Sequence, residues 1–270
     1  MMLRFDHSFR FSQPNLRDVS IRIPIAAEHY AINLKCDSNQ PMKTFNVKGN
    51  ILGQLRFSSL SSKVVRWIVD ISIRTFEKIE SGSNWGKKSE YESSDVQKYC
   101  EAKKYWEINT ETIQKAAIRI TAESGDDIHQ MIRKTFSFVR QSIKLPEPQD
   151  RRYGALRALS YGFGDCDEFT DLFVTLLRAL RIPTRRITGV FAIGEKIENH
   201  TWAEVLLPYP SQHWATFDVA LKYFAHRSCF HFGRKIESTS STRDDVAVRW
   251  KGRKNASVNI DIAPPLVLSA

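Results

Sequence analysis

The chain has 270 residues, 42% of them apolar and 26% charged, a composition that excludes a wholly disordered chain and suffices for about two folded domains. Its 40 Lys and Arg against 30 Asp and Glu leave a formal net charge of +10. No stretch approaches the ~20 apolar residues of a membrane span, and the start, Met1-Met2-Leu3-Arg4-Phe5-Asp6-His7, lacks the apolar core of a secretory signal, so a cytoplasmic location is the expectation.

From residue 19 to 60, short alternating runs such as Val19-Ser20-Ile21-Arg22-Ile23 and Ala31-Ile32-Asn33-Leu34-Lys35 are separated by Pro, Asn and Gly signals, as in an all-β unit. Residues 64–76 continue the strand pattern. The polar, glycine-bearing stretch 80–89 reads as part of a linker. The predicted organisation is therefore an N-terminal β-sandwich over residues 1–90 and a second domain over 91–270.

Within the second domain, Phe169, Leu172, Phe173, Leu176, Leu177 and Leu180 recur at three- and four-residue steps and predict a helix with one buried stripe. Cys166 continues that stripe at its N-terminal end. Gly162 and Gly164 allow a sharp entry, Asp165, Asp167 and Glu168 suit the first turn, and Ile182-Pro183 ends the helix. Beyond it, residues 185–192, 200–207 and 214–219 read as strands, giving a sheet with helices against it. The Ser/Thr-rich segment 238–243 reads as a loop.

A thiol at a helix start, followed by His and Asp on two strands, is the residue set of a cysteine nucleophile. His200, Trp202 and Glu204 share one strand face, as do Trp214, Thr216 and Asp218. Antiparallel pairing about Tyr209 would set His200 directly opposite Asp218. The carboxylate would then fix the imidazole tautomer and stabilise the imidazolium formed when the thiol proton is taken. Three carboxylates crowd the thiol, and the expectation is that they splay to solvent while His200 supplies the deciding positive charge. The oxyanion would rest on the Cys166 backbone amide, with Tyr161 a candidate for the second donor.

The blocks Gly-Asp-Cys-Asp-Glu-Phe at 164–169, Leu-Leu-Arg-Ala-Leu-Arg-Ile-Pro-Thr-Arg at 176–185, Asn-His-Thr-Trp-Ala-Glu-Val at 199–205 and Trp-Ala-Thr-Phe-Asp at 214–218 together resemble the transglutaminase-like superfamily of papain-like cysteine enzymes, in particular its bacterial and archaeal cysteine-protease branch. The resemblance implies an α+β fold, with the Cys-bearing helix packed on an antiparallel sheet and a β-sandwich before it. It puts the nucleophile, base and orienting acid on Cys166, His200 and Asp218, and leaves Tyr161 and Trp202 as candidates for substrate or oxyanion contacts. Residues 113–143 resemble the helical lead-in, with a Gly125-Asp126-Asp127 break between two runs in helical register. A Gly often found before Ile-Pro after the catalytic helix is here Arg181, which costs little if the backbone there avoids positive φ.

The implied chemistry is acyl transfer or hydrolysis at amide bonds through a thioester, on a peptide or protein substrate, with water or an amine as acceptor and no cofactor. The alternative is a non-catalytic scaffold of the same fold that binds a peptide or an acidic partner. Four cysteines, Cys36, Cys100, Cys166 and Cys229, are too few and too dispersed for a disulfide framework, and reduced thiols are expected. His226, Cys229 and His231 lack a fourth ligand at finger-like spacing, so no metal site is expected. Basic residues cluster at Arg151-Arg152, Arg181, Arg185-Arg186 and 249–254. Without a nucleic-acid module or interleaved aromatics, these read as a solvated basic face rather than a nucleic-acid surface.

Overall fold

A computed structural model describes residues 2–27, 30–37, 41–73, 84–144, 152–193, 196–209, 211–226, 231–237, 246–251, 255–262 and 265–269. Arg151, Cys229, residues 74–76 of the last N-terminal strand pattern, residues 80–83 of the expected linker and the expected loop at 238–243 lie outside them. The chain forms two compact units that interleave along the sequence. The first comprises residues 1–76, 188–199 and 229–270, and the second comprises 77–187 and 200–228.

In the first unit, alternation of apolar and polar side chains does what period-2 patterning requires. Strand β1 (Met2–Phe11) buries Leu3, Phe5, His7, Phe9 and Phe11 on one face. It pairs antiparallel with β6 (Val64–Ile73), and β6 with β3 (Ala31–Asp37). Strand β2 (Leu16–Ala27) pairs with β5 (Asn50–Leu60), and β5 with β4 (Lys43–Val47), in a second sheet. Phe5, His7, Val69 and Ile71 from one sheet and Ile23 and Ile25 from the other line a common interior, so the two sheets form a sandwich.

Late strands complete both sheets. Strand β11 (Ala247–Lys251) pairs with β2, while β12 (Val258–Ile262) and β13 (Leu266–Ser269) pair with β1. The sequence expectation divided the chain once, near residue 90. Strands of four or five residues carry too little alternation to announce that the chain returns to its first unit.

The second unit contains α1 (Ser93–Tyr99), α2 (Glu111–Thr121), α3 (Ile128–Ser142), α4 (Ala155–Tyr161) and α5 (Cys166–Ala179). Helices α2 and α3 flank the expected Gly-Asp-Asp break, and the Asp127 side chain caps α3 by accepting from the Gln130 amide. After α5 come β7 (Thr184–Ile193), β8 (Lys196–Leu207) and β9 (His213–Phe217), in that order in the sheet, with β10 (His231–Ile236) returning to the first unit. The core joins Ile113 and Ala117 of α2, Ile132, Phe136 and Val139 of α3, Leu172, Phe173 and Leu176 of α5, and Val205 and Phe217 of the sheet. Among the described residues no helix is long and apolar enough to cross a membrane.

Helix α5 ends in a Schellman turn. The Ile182 amide donates to the Leu177 carbonyl and the Arg181 amide to the Arg178 carbonyl, both at 2.9 Å. That turn puts Arg181 at φ 60°, so the condition under which replacing glycine there costs little is not met. A left-handed backbone costs a non-glycine residue ~1–2 kcal/mol, partly offset by the entropy a glycine would lose. Arg181 is exposed, so Arg181→Gly should stabilise the protein by about 0.5–1 kcal/mol, raising the thermal midpoint by ~2 °C in calorimetry.

His7 is buried, and among the described residues neither ring nitrogen has a hydrogen-bond partner. Burial first, and the Arg234 charge second, push its pKa down from 6.5 to about 3, against the opposing pull of Asp6. The folded pKa lies below the unfolded one, so the associated stability is full above pH ~6.5 and is lost as pH falls toward 3, at up to ~1.4 kcal/mol per pH unit. His7→Phe should remove about 2 kcal/mol of the stability lost between pH ~7.5 and ~5. Urea unfolding at both pH values measures it, and an unchanged pH dependence would refute it.

Candidate active site

The turn into α5 is built around Glu168. Helix α4 stops at Gly162, whose φ of 70° supplies the left-handed cap. Gly164 then passes so close to Glu168 that a Cβ on it would lie 2.2 Å from the Glu168 Cβ, leaving glycine the residue that fits. Asp165 is the N-cap: its side chain accepts from the Asp167 amide at 2.8 Å and forms a capping box with Glu168. Glu168 returns an oxygen to the Asp165 amide at 3.2 Å and another to the Tyr153 amide at 2.7 Å. Cys166 occupies the first helical position, partly exposed, with its backbone amide outside the capping box.

The three carboxylates expected to splay to solvent do not. Glu168 is fully buried. Burial, reinforced by the charges of Asp165 and Asp167 and opposed by the two amide donors, raises its pKa to about 7. Burial also pushes the Asp167 pKa up, but the Arg186 guanidinium, 2.5 Å away, holds the net value below the usual carboxylate range. One turn further along α5, Asp171 is buried and receives Arg152 through two nitrogens at 2.6 Å, Arg186 at 2.9 Å and the Trp106 indole at 2.8 Å.

Arg152 and Arg186, read from sequence as surface charges, thus belong to a buried ion network. Arg185 is buried too: it donates twice to Glu204, at 2.6 and 2.8 Å, and lies 3.9 Å over the Trp214 ring. Nothing in the spacing of Trp106, Arg152 and Asp171 announced their meeting. A polar residue at an apolar helix position was the available signal, since Asp171 sits between Thr170 and Leu172 in the middle of the buried run.

Strands β8 and β9 bring the other two candidates together in a register unlike the expected one. Ala203 pairs with Phe217 and Leu207 with His213, so the hairpin is shifted by two residues from pairing about Tyr209. A two-residue shift preserves side-chain parity, and His200 and Asp218 still meet, Nε2 to Oδ2 at 2.6 Å, diagonally rather than directly opposite. Asp218 lies just past β9. Its other oxygen accepts the Leu221 amide at 2.9 Å, and its backbone bridges to Tyr223.

The Cys166 side chain also acts on the His200 imidazole, favouring its protonated form. Burial alone would lower the His200 pKa. The hydrogen bonds to Asp218 and Cys166 and their charges outweigh it and push the value up to about 10. Helix and strand are stitched alongside: Thr170 donates to the Thr201 carbonyl at 3.1 Å, and the Thr201 hydroxyl donates to Asp167 at 3.2 Å.

The remaining candidates diverge. Trp202 is fully buried, its ring stacked 6.1 Å from that of His200. Tyr161 is 54% exposed at the end of α4 and stacks on Phe163 at 5.7 Å. In Asp218→Asn the imidazole loses its strongest anionic partner, so its pKa should fall from about 10 to below 7. Titration of the His200 ring resonances by NMR measures the change, and a value still near 10 would show that Asp218 does not set it.

A family model described as the transglutaminase-like superfamily matches residues 114–219. No curated protein is similar to the chain in sequence. Among solved structures, a candidate cysteine protease from Cytophaga hutchinsonii superposes with a TM-score of 0.61 at 13% identity, covering 100% of this chain and 91% of that one. The periplasmic domain of TgpA from Pseudomonas aeruginosa gives a TM-score of 0.41 at 13% identity over 80% of this chain and 87% of that one, too loose a match to carry weight. The family match spans all three candidate side chains, and through residues 114–219 the chain is similar to the transglutaminase-like superfamily.

Proposed function

We propose that the protein is a cysteine-dependent enzyme that transfers or hydrolyses acyl groups at amide bonds through a thioester, using Cys166, His200 and Asp218. The observation that carries this reading is the buried His200 imidazole bonded to the Asp218 carboxylate at 2.6 Å, with the thiol at the start of α5 also favouring its protonated form. Cys166 first gives its proton to His200, forming a thiolate–imidazolium pair, and the thiolate Sγ then attacks the amide carbonyl. The developing oxyanion is met by the Cys166 backbone amide, one of the donors a helix start leaves unpaired. His200 then gives its proton to the leaving nitrogen, the C–N bond breaks and a thioester remains. Water, deprotonated by His200, yields hydrolysis, and a primary amine in its place yields transfer.

Asp218 acts as the orienting acid and keeps the imidazolium favourable in a buried site. We assign Trp202 to walling the imidazole, since its ring has no exposed surface to offer a substrate. Tyr161, exposed beside Phe163, is assigned to substrate contact. The substrate class is a peptide or protein amide, and the chemistry requires no cofactor.

Incubation with glutamine-containing peptides should give an acyl adduct on Cys166, detected by intact mass, that is absent in Cys166→Ala and discharged faster when a primary amine is added. His200→Ala should reduce adduct formation by at least ~10³-fold, since base and imidazolium are lost together. If no adduct forms, and iodoacetamide labels Cys166 no faster than Cys100, the protein is a scaffold and the enzyme reading is wrong.

A further inference from the structure

The geometry points to a binding groove for acidic peptide segments on the solvent face of the β11-β2-β5 sheet in the first unit. The groove has a volume of about 570 Å³ and lies where three strands present their outward side chains: Ser20 and Arg22 from β2, Gln54, Arg56 and Ser58 from β5, and Ala247, Arg249 and Lys251 from β11. Register explains the trough. Arg249, Ser20 and Arg56 are aligned across the three strands, and in the next row stand Ala247, Arg22 and Gln54. Adjacent strands lie ~4.8 Å apart, so Arg249 and Arg56 stand ~10 Å apart with only a serine between them. Small side chains form the floor and guanidiniums the walls.

The charge is uncompensated where it matters. Lys251 is paired with Asp18 at 3.0 Å, at one end. Arg56 and Arg249 meet no carboxylate among the described residues, and Arg22 rests its guanidinium 5.4 Å from the Phe45 ring centroid. Gln54, buried and donating to the Ser20 hydroxyl at 2.7 Å, keeps the floor polar. Three guanidiniums around a polar floor suit carboxylates, each able to take paired N–H donors. A nucleic-acid strand would need a series of aromatic faces for successive bases, and of the residues that line the groove only Phe57 is aromatic. The peptide nature of the occupant rests on the amide-bond reading above, while the anion preference rests on the groove alone.

Fluorescence polarisation with a labelled peptide of alternating Glu and Ser, measured on Cys166→Ala protein so that turnover plays no part, tests the proposal. Binding should exceed that of the Gln-and-Ser peptide and weaken as salt is raised. Arg56→Glu combined with Arg249→Glu should lower affinity about tenfold or more. Ala247→Trp, which fills the trough without changing charge, should also weaken it, and Lys115→Glu on α2 should not. Thermal melts verify that each variant is folded. Unchanged binding in the folded Arg56/Arg249 variant or in Ala247→Trp, an equal loss in Lys115→Glu, or tighter binding of a thymidine oligonucleotide to the same arginines would overturn it. An acyl-adduct failure with retained peptide binding would sink the enzyme reading but not the groove.

Discussion

Helix α5 has no solvent face over residues 168–178, and the charged groups it carries there must be satisfied inside the protein. Removing an ion from water costs several kcal/mol even after relaxation, so a buried carboxylate persists only where opposite charge and hydrogen bonds surround it. Asp171 meets that demand with Arg152, Arg186 and Trp106, and Arg186 extends the same compensation to Asp167. Two carboxylates interlock with two guanidiniums. Because each contact is directional, the network fixes the rotation and axial position of α5, and with them the place of Cys166.

The electrostatics around the thiol follow from that frame. Three acidic side chains in one helical turn would oppose a developing negative charge on sulfur if all were ionised and unpaired. Instead Asp167 is matched by Arg186, and burial raises Glu168 to a pKa of about 7, so that its proton is retained on a large fraction of molecules near neutrality. Glu168 holds the capping box and the Tyr153 amide in place while contributing less charge than its residue type suggests. The imidazole opposite is stabilised as a cation by its two partners. The sheet side depends on the same kind of closure: Asp218 is aimed by the Leu221 amide, and Trp202 stacks beside His200.

Legibility from sequence divided along physical lines. Helix α5, the strands carrying His200 and Asp218, and the break between α2 and α3 were readable because periodicity and turn chemistry are local. Strand parity survived the two-residue register shift for the same reason: a side chain changes face only with an odd step. The arginines were misread because net charge records residue type and not partners, and Arg152, Arg185 and Arg186 find their carboxylates 19 residues away in the chain. Arg181 showed the converse, where a local departure from glycine was visible but the positive φ it must adopt was not.

The sequence by itself determined which residues could be nucleophile, base and acid, the helix that bears the thiol and the strand faces of its partners, since each follows from spacing over a few residues. Packing between distant parts of the chain settled that Glu168 is buried, that Asp171 anchors a four-membered ion network, that partners across the hairpin are offset by two residues from the expected ones, and that residues 229–270 return to the first unit. Those outcomes depend on which distant groups exclude water from one another, and desolvation is a property of the packed neighbourhood, which no local stretch of chain encodes.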